Sequence, residues 1–133
     1  MPPRTTVGHV HLSVGDLDTA RAFYHSGLGL EETVWSYPGA LFLSAGGYHH
    51  HLGLNTWPAG ARTAAPDDAR LLEWELIVPD ASDVGRATAS LEAAGYDVQS
   101  DDEDRVVSDP WGTRLWFRTV ERLDRSGRST RFA

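Results

Sequence analysis

Five of the six histidines in this 133-residue chain fall in two short stretches, Gly8-His9-Val10-His11 and Tyr48-His49-His50-His51. Two carboxylates, Glu73 and Glu75, alternate in the same way within Leu71-Leu72-Glu73-Trp74-Glu75-Leu76-Ile77-Val78. Imidazole nitrogens and carboxylate oxygens bind borderline divalent metals without any need for sulfur. Two imidazoles and one carboxylate that leave coordination positions open suit Fe(II), Mn(II) or a similar ion. An ion held in this way takes a substrate's oxygens in its free positions, acts as a Lewis acid and lowers the pKa of a bound hydroxyl. An imidazole beside it titrates near neutrality, so His11 or His49 can serve as acid, base or hydrogen-bonding neighbour. The sixth histidine, His25, falls at a helix end, where the helix dipole favours its protonated form.

The elements that must position these groups follow from periodicity. His9-Val10-His11-Leu12-Ser13-Val14 alternates, with Val10, Leu12 and Val14 on one side and His9, His11 and Ser13 on the other, as in a half-buried strand. A helix follows: Asp16 or Asp18 caps it, Leu17, Ala20, Phe23 or Tyr24, and Leu28 repeat at helical spacing, and Gly27 or Gly29 ends it. Three further strand signals, at 30–37, 40–44 and 48–57, are punctuated by Pro38-Gly39 and Gly46-Gly47. After a stretch rich in Ala, Pro and Gly the pattern returns, with strands at 71–80, 96–100, 105–108 and 113–117, a helix over 81–95, and Asp109-Pro110-Trp111-Gly112 as the last turn. Aligning Asp16 with Asp80 places His9 on Glu73 and His11 on Glu75; aligning Gly47 with Gly112 places His49 on Arg114 and His51 on Trp116.

The expected class is α+β: two βαβββ modules pairing into a curved, barrel-like sheet with helices outside and a trough within. The expected organisation is an N-terminal arm (1–6), a first module (7–57), a linker (58–70), a second module (71–118) and a loose, arginine-bearing tail (119–133). In the strand containing the histidine run, Leu52 and Leu54 define the helix-facing side. Parity then turns His49, His51, Gly53 and Asn55 towards the trough and His50 away from it. Eight trough positions (His9, His11, His49, His51, Glu73, Glu75, Arg114 and Trp116) carry four histidines and two carboxylates where a mere core would carry apolar filler.

Composition narrows the functional classes. The absence of cysteine excludes disulfides, thiolate metal sites and a cysteine nucleophile. A net charge of −7 without a basic, aromatic-interleaved stripe argues against nucleic acid as a partner. No apolar run is long enough to span a membrane, and the N-terminal residues lack a signal-peptide layout, so a cytoplasmic protein is expected. Asp101, Asp102, Glu103 and Asp104 read as a solvated charge run, because their spacing is wrong for a calcium loop.

Gly8–Leu30, with "FLSAGGYHHHLGLNTW" (42–57) and "DPWGTRLWF" (109–117), resembles the vicinal-oxygen-chelate superfamily of glyoxalases, bleomycin-resistance proteins and extradiol dioxygenases. The likeness to a catechol 2,3-dioxygenase module pair is carried mostly by "SAGGYHHHLGLNTW". It implies metal ligands on the first and last strands of each module. His9, His51 and Glu73 occupy such positions, with Glu75 as the alternative to Glu73 and His49 as the rival to His51. Where the family pattern normally supplies a last glutamate, this chain has Trp116. The resemblance implies a divalent ion, Fe(II) or Mn(II) in preference to Zn(II) or Ni(II), and a small substrate bound through two adjacent oxygens. Asn55, Trp57, Arg114 and Trp116 are the expected substrate contacts, with Trp111 and Tyr37 as further stacking rings. A metal-free binding protein of the bleomycin-resistance type and a glyoxalase-like lyase or isomerase are the alternatives. Open module edges predict a homodimer.

Overall fold

The computed structural model describes residues 8–34, 36–58 and 64–119. The expected arm (1–6), part of the expected linker and all of the expected tail beyond Thr119 lie outside them. The chain divides into two compact units, Met1–Ala69 and Arg70–Ala133.

The first unit is a βαβββ module. Strand β1 (Val10–Ser13) leads into helix α1 (Leu17–Ala20), which runs on as a π-helical segment (Arg21–Gly27); β2 (Glu31–Glu32), β3 (Ala40–Ser44) and β4 (Leu52–Asn55) follow. The sheet order is β1-β4-β3-β2, with β1 parallel to β4 and the other pairs antiparallel. A parallel neighbour requires a crossover, which the helix provides. Asp16 caps the helix: its Oδ1 accepts a 2.7 Å hydrogen bond from the Thr19 N–H. That bond, with a second from the Thr19 side chain, holds the Asp16 carboxyl below its ordinary pKa. The wider π turn is seen in the Leu28 N–H donating to the Phe23 carbonyl five residues back, at 2.8 Å.

Pairing of Leu12 with Leu54 and of Leu54 with Leu41 lines up one face of the sheet. Leu43, Leu52 and Leu54 of that face are fully buried, as are Ala20, Phe23 and Tyr24 of the helical segments. Burying each such large apolar side chain contributes about 1.5–3 kcal/mol. Burial on this face leaves the opposite face, with His11, Gly53 and Phe42 in one paired row, for other uses.

The second unit repeats the order with β5 (Glu73–Val78), α2 (Ala81–Ala93), β6 (Val98–Asp101), β7 (Asp104–Ser108) and β8 (Arg114–Thr119). Its sheet is β5-β8-β7-β6, again with the first and last strands parallel. Asp80 caps α2 through a reciprocal capping box with Asp83, and Gly95 ends it at φ 89°. Val84 and Leu91 of the helix are buried, as are Val107, Leu115 and Phe117 of the sheet. The acidic run at 101–104 is the β6–β7 turn: Asp101 pairs with Asp104, and Asp102 takes φ 52°. The α+β class and the repeated βαβββ order thus stand as the sequence indicates.

Two details differ from the sequence expectation. Strand β4 begins at Leu52, so Tyr48 to His51 lie in the β3–β4 connection and not on a strand. The reason is the hairpin register: Leu43 pairs with Leu52, and the His51 N–H bonds the Leu43 carbonyl. The chain must therefore turn between these points, and it does so through Gly46 and Gly47 at φ 62° and 75°. The second difference concerns the repeat. His11 pairs with Gly53 and Glu75 pairs with Trp116, so Gly53, not His51, is the counterpart of Trp116. Eight residues separate the paired Leu43 and Leu52, whereas seven separate Val107 and Leu115, so the turn glycines 47 and 112 are not equivalent.

Candidate functional site

On the sheet face away from α1, His11 projects beside the bare backbone of Gly53. A Cβ on Gly53 would stand 2.9 Å from His11 Nδ1. The imidazole lies 5.5 Å from the Trp57 ring and 6.1 Å, edge-on, from Phe42. Tyr37 completes the group, perpendicular to Phe42 at 5.7 Å and tilted to Trp57 at 6.3 Å. Trp57 is held in place by two hydrogen bonds. Its indole N–H donates to the Pro38 carbonyl at 3.2 Å, and its backbone N–H donates to Asn55 Oδ1 at 3.1 Å. Asn55 is buried, and it serves this face by fixing Trp57.

The aromatic row continues into the histidines. Phe42 meets the His50 ring at 5.1 Å; His50 in turn lies 4.7 Å from His9 and 4.5 Å from His49. One nitrogen from each of His9, His49 and His50 lies within 4.8 Å of the others, with His9 and His49 exposed and His50 half-buried. His50, expected on the far side of a strand, therefore joins this cluster, because parity does not operate in the turn that carries it. Burial, then the neighbouring positive charges of His49, His9, His11 and His51, hold its pKa below the ordinary imidazole value.

His51 is occupied differently. Its Nδ1 accepts from the Ala45 N–H at 3.3 Å and lies 3.1 Å from the hydroxyl of the buried Ser44. A backbone N–H can only donate, so Nδ1 carries the lone pair and the neutral ring bears its proton on Nε2. The Tyr48 ring packs on His51 at 4.6 Å and on His49 at 4.2 Å.

In the second unit, the face away from α2 carries a ladder of opposite charges. Glu73 Oε2 lies 2.7 Å from Arg114 Nη2 and accepts a 3.3 Å hydrogen bond from the Trp116 indole. Arg118 bridges Glu75 and Asp104, with its Nε 3.0 Å from Asp104 Oδ2. The same guanidinium lies over the Trp116 ring, 5.1 Å from its centre. Trp111 stands in the β7–β8 turn, its N–H bonded to Asp109 Oδ1.

Of the sequence-selected residues, the structure brings together His9, His11, His49, His51, Asn55 and Trp57 in the first unit. Glu73, Glu75, Arg114 and Trp116 come together in the second. Sequence reasoning missed Phe42, Tyr48, Ser44 and the inclusion of His50. Phe42 carried a signal: it is the off-parity member of Leu41-Phe42-Leu43, opposite the leucines that define the core. No helix among the described residues is long and apolar enough to cross a membrane.

Comparison with known proteins agrees with this architecture. The chain is 39% identical over 113 residues to the catechol-2,3-dioxygenase of Bacillus subtilis (strain 168), a match covering 83% of the chain but only 39% of that relative's length. Among solved structures, the fosfomycin resistance protein FosX of Listeria monocytogenes, complexed with Mn(II) and sulfate, superposes with a TM-score of 0.64 at 15% identity, over 92% of this chain and 98% of that one. TnmS3, an antibiotic binding protein from Streptomyces sp. CB03234, gives 0.61 at 21% identity, over 90% and 98%. Likeness at these identities speaks for the fold. Residues 6–117 match the family as a whole, and the chain belongs to the Glyoxalase/Bleomycin resistance protein/Dioxygenase superfamily.

Proposed function

We propose that this protein is a divalent-metal-dependent enzyme that acts on a small aromatic substrate through two adjacent oxygens, with ring cleavage of a catechol as its reaction. The observation that carries this reading is the continuity of one face: a cluster of imidazoles at His9, His49 and His50 runs directly into a floor of rings at Phe42, His11 and Trp57. The donor set fits a borderline divalent ion, since neutral imidazole nitrogens are its usual ligands. Fe(II) or Mn(II) is favoured over Zn(II) or Ni(II). When bound, such an ion supplies a Lewis acid for two neighbouring oxygens.

The chain's own residues have separable tasks. His9 would hold the ion together with the histidine-bearing turn. Phe42, His11 and Trp57 present ring faces and edges against which a planar substrate stacks. His51 holds a proton at Nε2, kept there by the Ala45 N–H at Nδ1, and can donate it to a developing oxyanion. The 39% identity to a catechol-2,3-dioxygenase supports the choice of substrate, and the Mn(II) complex of FosX supports a divalent ion in this fold.

A second reading is metal-free binding of a small aromatic molecule, with a glyoxalase-like lyase or isomerase as a third. The former is favoured by the second unit, where Trp116 stands under Arg118 and the carboxylates of Glu73 and Glu75 are neutralised by arginines. Protein purified without an affinity tag and loaded anaerobically with Fe(II) or Mn(II) separates them. Stoichiometric metal together with oxygen uptake on addition of catechol is expected. Failure to bind either ion, with catechol binding undiminished, would overturn the enzymatic reading. We propose a homodimer in addition, which light scattering on a sizing column tests.

A further inference from the structure

We infer that the ion is held by three imidazoles of the first unit, His9, His49 and His50, with no carboxylate ligand. This rests on the metal-dependent reading above and specifies its donor set. Three observations converge on it. One nitrogen from each of these three residues already lies within 4.8 Å of the other two. Nitrogens sharing one ion at bonds of about 2.1 Å stand about 3.4 Å apart in a tetrahedral array. The remaining contraction needs only side-chain rotation, since His9 and His49 are exposed and the turn that carries His49 and His50 follows two glycines.

The sequence-expected alternatives are committed elsewhere. His51 cannot offer Nδ1, which accepts from the Ala45 N–H, and offering Nε2 would require moving the proton onto that occupied nitrogen. Glu73 faces Arg114 and Trp116, and Glu75 faces Arg118; detaching Glu73 would take the carboxylate from Arg114, and detaching Glu75 would take one of two from Arg118. Both carboxylates are thus already engaged within the second unit's own face.

The donor set has a chemical consequence. Three neutral imidazoles leave a divalent ion its full charge of two, where a carboxylate ligand would halve it. Such a centre selects for an anionic chelating partner: a vicinal pair of oxygens of which at least one is deprotonated, as in a catecholate or an α-hydroxy acid anion. A neutral diol of the same shape would be bound less well.

Co(II) is a suitable probe, because its visible absorption reports nitrogen ligation independently of turnover. One Co(II) per chain is expected. His9→Ala, His49→Ala and His50→Ala should each weaken it by at least about tenfold, with Glu73→Gln and His51→Ala within about twofold of the parent. Thermal unfolding of each variant establishes that it is folded, and His50→Asn repeats the test with a smaller change in polarity. Loss of Co(II) in Glu73→Gln with retention in His50→Ala would overturn the three-imidazole site while leaving a metal-dependent enzyme intact. Failure of the parent chain to bind Co(II), Fe(II) or Mn(II) would end both proposals.

Discussion

The imidazole of His11 occupies the space that a side chain at residue 53 would fill: its Nδ1 is 2.9 Å from the position of a Cβ on Gly53. In the second unit the equivalent pair is Glu75 and Trp116, and there the same space holds an indole. Glycine at this paired position in one unit and tryptophan in the other separate a face open to a ligand ring from a face filled by its own. Gly53→Ala should therefore displace His11 from Trp57 and change tryptophan fluorescence. It should destabilise the protein by about 1–3 kcal/mol unless the ring swings clear. In a His11→Ala background the same change should cost clearly less, and a double-mutant cycle by urea unfolding measures that coupling.

The leucine face and the histidine face should respond oppositely to truncation. Leu54 is fully buried on the side that packs on the helix. Leu54→Ala should lower unfolding free energy by about 2–5 kcal/mol. His49→Ala, at an exposed turn position, should fall within about 0.5 kcal/mol of the parent in the absence of metal. Chemical denaturation of the two variants side by side checks the contrast.

Arg118 should matter far more to stability than Arg114, although both pair with a glutamate of β5. The Arg118 side chain is 15% exposed and serves both Glu75 and Asp104, whereas Arg114 and Glu73 are 53% and 48% exposed. Removing Arg118 takes a shared guanidinium from two enclosed carboxylates, Glu75 and Asp104, a loss of about 1–3 kcal/mol. Arg114→Ala breaks a solvent-screened pair, at about 0–1 kcal/mol. Thermal unfolding of the two alanine variants distinguishes these sizes.

The two helix caps should make stability fall in acid. The Asp80 carboxyl is held below 3.8, first by the Ser82 hydroxyl and then by the Asp83 N–H, and Asp16 is lowered by its bonds from Thr19. A carboxyl that is more acidic when folded adds stability above its ordinary pKa. That contribution is lost as pH falls below 3.8 and through the folded value. Asp80→Asn keeps a capping oxygen but does not titrate. The difference in Tm between parent and variant should be constant near neutrality and shrink as pH drops below 3.8.

Most of the scaffold was legible because it rests on local chemistry. Asp16 and Asp80 cap where a carboxylate precedes an amphipathic run, and Leu52 and Leu54 face the helix because alternation leaves them no other side. The histidine run resisted for a physical reason. Alternation assigns faces only to residues in a ladder, and His49 and His50 lie beyond its last rung. Their grouping with His9 depends on the path of a turn through Gly46 and Gly47. The tautomer of His51 depends on an amide, Ala45, whose direction no side-chain pattern encodes. The Glu73–Arg114 and Glu75–Arg118 pairs are cross-strand neighbours more than forty residues apart in the chain. They become visible only once the parallel register of β5 and β8 is known.

The turn from Ala45 to His51 is tied to the sheet at its end by two backbone bonds at His51, whose amide donates to the Leu43 carbonyl and whose carbonyl accepts from the Val10 amide. His49 and His50 precede that anchor, so their imidazoles are decoupled from the leucine packing beneath. Imidazoles there can be exchanged, added or deleted without disturbing the hydrophobic layer, which gives one scaffold room to host different chemistries by revising a loop of seven residues.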